Sequence, residues 1–226
     1  YGHMLGTDPE TLVAMSIALA GEESDDGVMR EIVELRANAD AIAREALDPE
    51  ARIAACVEDL RALPSDNPIG PVLAMASETV LAGLNFTRTV VFVRHGAGSF
   101  KARLGLGPKM DALLPALGFT ATFEPDVFHL AIANSVGIFI ENARDPKIMA
   151  RLPVWFRRAF DDARSFVILP VVLEENQSTV ALMYGDWSHS QEPRKISQKE
   201  MAALNELARE MGRFFAQSPR SEMEVF

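Results

Sequence analysis

Two spacings of apolar residues divide the chain. Up to residue 84 apolar positions recur every three or four residues; from Thr87 onward they alternate or run together. In the first part, Asp8-Pro9-Glu10 offers an N-cap followed by proline at the first helical position, and Gly21 suits a helix stop. Asp25 or Asp26 starts a second helix with a broad apolar face of Val28, Ile32, Val33 and Leu35. Asp48-Pro49-Glu50 repeats the start signal, and Ile53, Cys56, Val57, Leu60 and Leu63 follow at helical spacing. The segment PSDNPIGP (64–71) breaks the pattern. From Pro71 a fourth helix carries Val72, Met75, Val80 and Leu84.

The second part reads differently. TVVFVR (89–94) is rich in β-branched and aromatic residues, and Phe100, Ala102, Leu104 and Leu106 alternate with Lys101, Arg103 and Gly105. The glycine-bearing HGAGS between them predicts an antiparallel hairpin. PKMDALLPALG and EPDVFHLAIANS read as short helices, GIFIEN (137–142) as a short strand, and DPKIMARLPVWFRRAF as helical. SFVILPVVLEENQSTVALMYGDW (165–187) is a pair of apolar strands joined by a polar turn, with Pro170 restricted to an edge, bulge or kink. The last helix is the best signed. Ser197 and Glu200 form an S-x-x-E capping box, Ile196 and Met201 a hydrophobic staple, and Leu204, Leu207, Met211, Phe214 and Phe215 continue one stripe.

Composition narrows the class. The 226 residues carry 32 acids against 22 bases, a net charge of -10, which disfavours nucleic acid as a partner. The single cysteine, Cys56, excludes an intramolecular disulfide and fits a reducing, cytoplasmic setting. No apolar run reaches the ~20 residues of a membrane helix. Tyr1-Gly2-His3-Met4 reads as an expression remnant, so His3 is excluded from the chemistry.

The order helix, hairpin, short helices, strand, helix, hairpin and closing helix resembles a GAF domain over about residues 68–216. FVILPVVLEENQSTVALMYGD, with Pro170 in its first strand and Tyr184-Gly185-Asp186 closing its second, carries that resemblance. RLGLG, PDVFHLA, LPVWFRRAF and LMYGDW are similar to the GAF-like tail of bacterial HDOD signalling proteins. The resemblance implies an α+β fold, a GAF-like central antiparallel sheet flanked by helices and preceded by an all-helical region. The expected organisation is an expression remnant at 1–4, a helical region or linker at 5–66, the GAF-like domain at 67–217 and a disordered tail at 218–226. It further implies a non-catalytic signal-transduction module for small-molecule sensing, dimerisation or both. The Asn-Lys-Phe-Asp-Glu constellation of the family's cyclic-nucleotide binders is not located here. Cys56 lies upstream of the domain, where neither bilin attachment nor sulfoxide reduction would use it.

If the family's pocket exists, Phe123, Phe128, His129, Phe139, Trp155 and Tyr184 are the candidates to line it; each also suits a packed core. The expected partners are an unidentified small molecule, a partner signalling domain and a second copy docked through the terminal helix with residues 72–84. No cofactor, metal site or catalytic residue is assigned.

Four other patterns carry competing readings. Arg94-His95-Gly96 after an apolar strand looks like a histidine-phosphatase opening, which needs a second histidine, a second arginine, a carboxylic acid and a parallel sheet. Antiparallel pairing of 89–94 with 100–106 would dispose of it. His95, His129 and His189 lack metal-ligand spacing, and Gly105 and Gly107 read as turn residues. LPVWFRRAF, with Arg144, Lys147 and Arg151 upstream, sets aromatic residues beside arginines, as binding surfaces do.

Overall fold

The structure, a computed structural model, describes residues 48–190 and 194–217. The helices expected to start near Asp8 and Asp25, the remnant at 1–4 and the tail at 218–226 lie outside the described residues. A compact unit begins at Asp48. Its helix α1 (Pro49–Ala62) opens where the Asp48 side chain accepts from the Ala51 N–H at 2.9 Å. Helix α2 (Ile69–Gly83) starts ahead of the expected Pro71. Pro71 fits within its first turn because N–H groups there have no helical acceptor.

Strands β1 (Arg88–His95) and β2 (Ser99–Leu106) form the expected hairpin, with His95 opposite Ser99 and Gly96 at φ +56° in the turn. Next come α3 (Met110–Leu113), a 3₁₀ turn, β3 (Gly118–Thr120), α4 (Val127–Asn134) and β4 (Ile138–Ile140). The helical stretch expected over 145–160 is instead two short helices, α5 (Pro146–Met149) and α6 (Val154–Ala159). The break falls at Leu152-Pro153, since proline disfavours helical backbone in the residue before it. Strands β5 (Ala163–Val172) and β6 (Thr179–Ser188) make the second hairpin, and α7 (Gln198–Gln217) closes the unit.

The six strands run in the order β3-β2-β1-β6-β5-β4, and every neighbouring pair is antiparallel. Pro170 lies beyond the end of β4, which pairs only with 166–168, so its missing N–H breaks no bond on that side. Alternation along each strand sends side chains to two cores. Val91, Val93, Val167, Leu169 and Met183 pack with α1, α2 and α7. Val90, Phe92, Phe166, Ile168, Leu182 and Tyr184 pack with the short helices and connections on the opposite face.

The capping box of α7 is formed as its sequence predicts: the Ser197 N–H donates to Glu200 Oε2 at 2.8 Å and the Glu200 N–H to Ser197 Oγ at 3.1 Å. The stripe Leu204, Leu207, Met211, Phe214 and Phe215 is buried within the unit, in one core with α1, α2 and the sheet. Gly212 makes the closest approach: a Cβ there would sit 2.3 Å from the Val172 carbonyl oxygen. No described helix is long and apolar enough to cross a membrane.

Candidate functional site

The face of the sheet away from α1, α2 and α7 carries a layer of aromatic rings. Phe92 and Phe166 rise from β1 and β5, Phe119 from β3, Phe128 from α4, and Trp155 and Phe156 from α6. Trp155 lies parallel to Phe119, with ring centres 5.4 Å apart and 3° between planes, and Phe100 stacks on Phe119 at 5.2 Å. Phe128 meets Trp155 at 4.8 Å and also touches Phe156, Phe166 and Tyr184. Offset and tilted geometries like these add to the area that the rings bury. Trp155 alone among Phe92, Phe128, Phe156, Phe166 and Tyr184 is only partly buried.

Two polar clusters border the layer. At the α4 end, Asp126 caps the helix: its Oδ1 accepts from the Phe128 and His129 N–H groups at 2.8 and 2.9 Å. The buried His129 ring places Nε2 2.9 Å from the Thr120 carbonyl and Nδ1 2.9 Å from Asp126 Oδ2. A carbonyl only accepts, so Nε2 carries a hydrogen and donates it to Thr120. His129 therefore ties α4 to β3.

At the opposite end Arg88 and Asp186, directly opposed in the β1–β6 register, are both buried. Arg88 Nη2 donates to Asp186 Oδ2 and to Asp162 Oδ1, each at 2.7 Å, and Nε reaches the Asp186 carboxylate at 3.1 Å. The Tyr184 hydroxyl donates to the same Asp186 Oδ2 at 2.7 Å, while Phe160 lies beneath the guanidinium at 5.2 Å. Burial pushes the Asp186 carboxyl above its ordinary range, against the opposing pull of Arg88 and the Tyr184 hydroxyl. Burial, with the Asp186 charge, also raises the Tyr184 phenol.

The sequence-predicted pocket residues fall into three places. Phe128, His129, Trp155 and Tyr184 belong to the layer or its border. Phe123 is 59% exposed and edges the His129 ring at 6.2 Å. Phe139 points to the other face and meets Trp187 at 6.3 Å. Neither Arg88 nor Asp162 stands out in the sequence. Its available signal was a charged residue at the head of an otherwise apolar strand, which becomes a pair only once the register is known.

His95 lies elsewhere, on an open groove of about 640 Å³ with Val93, Lys101 and Leu117. Arg94 donates to the Thr179 carbonyl at 3.4 Å and sits over Phe100. Because β1 and β6 are antiparallel neighbours, His95 lies at one end of the strand pair and His189 beyond the other, on the order of 30 Å apart. The parallel sheet and paired histidines of a histidine phosphatase are not what this chain forms. Among the described residues, no three His, Cys, Asp or Glu side chains gather as a metal site. Gly107 adopts φ +108° against the Thr87 carbonyl, as a turn requires, and α3 behind it has one turn.

This architecture is GAF-like: a curled antiparallel sheet with helices on both faces, and an aromatic layer beneath the shorter ones. No protein-family model and no curated protein sequence matches the chain. Solved structures do. The GAF domain of an Acinetobacter phosphoenolpyruvate-protein phosphotransferase is 12% identical with a TM-score of 0.57, over 74% of this chain and 91% of that one. Its counterpart from Coxiella burnetii is 14% identical with a TM-score of 0.58, over 75% and 93%. A free methionine-R-sulfoxide reductase from Neisseria meningitidis, solved with its substrate, is 16% identical with a TM-score of 0.54, over 76% and 93%.

Proposed function

We propose that this chain is a cytoplasmic, non-catalytic sensing module of bacterial signal transduction, of the kind carried behind HDOD regions, and that it takes a planar, largely apolar small molecule in the aromatic layer. The observation that carries this reading is Trp155. It is the half-buried ring of the layer and lies parallel to Phe119 as a flat ligand would. It also stands on a six-residue helix set off by Pro153, an element small enough to move without disturbing the sheet. Two of the similar GAF domains come from phosphotransferase proteins, and another neighbour is part of a methyl-accepting chemotaxis protein, which supports a regulatory setting.

The test empties the Trp155 position. Trp155→Ala is expected to lower stability by about 2–3 kcal/mol, less than a fully buried tryptophan would, and to leave an aromatic-walled space. Indole at millimolar concentration then raises the melting temperature of the variant more than that of the parent chain. An equal response in both proteins contradicts a ligand-sized place at Trp155.

The tight ring packing favours a second reading, an interaction or dimerisation module with no ligand. The apolar faces of α2 and α7 are already covered within the unit, so a dimer through the terminal helices would meet on the outer sides, charged on α7 and carrying Glu78 on α2. Sedimentation of the chain at micromolar concentration separates monomer from dimer.

A further inference from the structure

Outside the aromatic layer, the segment from 143 to 163 builds a second surface. Arg144, Lys147, Arg151, Arg157 and Arg158 are all exposed there, and none of their side chains has an ion-pair or hydrogen-bond partner among the described residues. Elsewhere the arginines are engaged: Arg61, Arg88, Arg194, Arg209 and Arg213 each bridge to carboxylates. In a chain of net charge -10, an unneutralised basic patch runs against the average. Its local acids are few. Asp145 is occupied in capping α5 through the Lys147 N–H, Asp162 is held by Arg88, and Asp161 borders the cleft.

The patch borders an apolar cleft of about 320 Å³. Met149, Leu152, Phe156 and Phe160 give its apolar lining, and Arg144 and Arg157 also line it. Met149 is 41% exposed, and Val154 on α6 is 51% exposed. Large apolar side chains exposed beside cations mark a contact surface more often than a solvated face.

We propose that this cleft docks an acidic protein segment carrying one bulky apolar side chain, which enters between Met149 and Phe160 while its carboxylates meet the surrounding arginines. Charge complementarity selects the occupant. Five cations on α5, its flanking turns and α6 carry more charge than one small anion can match, and the apolar lining has no use for a bare polyanion. The site stands apart from the Trp155 position and does not depend on a ligand there, although α6 contributes to both.

A fluorescein-labelled peptide of alternating Glu and Asp around a central Leu-Phe is the probe, followed by anisotropy against the full chain at low and physiological salt. Saturable binding that weakens with salt is expected. The double variant Arg144→Glu/Arg157→Glu should bind about tenfold or more weakly, as the loss and reversal of two exposed ion pairs implies. Met149→Ser, or a peptide with Ser-Ser replacing Leu-Phe, should also bind more weakly. Both variants should keep the parent melting temperature, because the three side chains lie at the surface. Absence of saturation, equal binding by the charge-reversed variant, or equal binding of the Ser-Ser peptide overturns the proposal. Tighter binding of an oligothymidylate of matched charge would assign the patch to phosphate instead. Self-association abolished by the same charge reversal would assign it to a second copy.

Discussion

Arg88→Ala is expected to lower the unfolding free energy at neutral pH by about 3–5 kcal/mol, read from urea denaturation, because it strands a buried carboxylate. Asp186 has no exposed surface, and Arg88 is its charge partner from the facing strand. Removing the guanidinium also leaves Tyr184 as the remaining side-chain donor to that carboxylate and takes the cation from the Phe160 ring. The loss should depend on pH, and its sign follows from the groups involved. Burial already raises the Asp186 carboxyl in the folded state, so folding is helped when that group is protonated and hindered as pH rises through its folded value. Without Arg88 the upward shift grows. Asp162 acts in the same direction: burial raises it, Arg88 outweighs that and holds it low, and its contribution to the parent chain disappears on acidification. The deficit of Arg88→Ala should therefore be smaller at pH 5 than at pH 8. Replacing both members by apolar residues, Arg88→Met with Asp186→Leu, should cost less than the single change, since no charge is left buried.

The second large effect is expected at Phe128. Its ring is 1% exposed and lies among Phe119, Trp155, Phe156, Phe166 and Tyr184. Phe128→Ala removes those contacts and leaves a cavity that rings on four elements cannot close together, for a loss of about 3–5 kcal/mol. Phe128→Leu, which keeps most of the volume, should lose under about 1.5 kcal/mol. The backbone cap from Asp126 is untouched by either change, so α4 should retain its helical signal while the melting temperature falls. A loss for alanine no greater than for leucine would show that the layer collapses freely and is not a fixed frame.

What was legible in the sequence was mostly local. The Ser197–Glu200 box and the α7 stripe depend on residues three and four apart, and both formed as read. The 89–106 hairpin was readable because alternation and the HGAGS turn agree. Pro153 was visible, yet helical spacing across 145–160 hid its effect; the chain obeys the proline and divides the segment. Register was the harder part. Arg88 and Asp186 are 98 residues apart, and nothing local says that they face each other. Phe139 shows the same difficulty within three residues: Ile138 and Ile140 pack toward the aromatic layer, so Phe139 must point away. The aromatic character of the site was thus readable from composition, whereas membership of each ring depended on which way its strand faced.

On the proposed reading, a flat apolar ligand takes the place of the Trp155 ring in this layer. The chain has two tryptophans, and Trp187 lies on the other face, held by its indole N–H to the Leu84 carbonyl at 3.0 Å. Labelling with 5-fluorotryptophan therefore gives one fluorine resonance inside the proposed site and one outside it. Titration with 2-naphthoate should shift or broaden the Trp155 resonance saturably while the Trp187 resonance stays in place. Both resonances unchanged at millimolar naphthoate, or both moving together, would contradict a ligand site at Trp155.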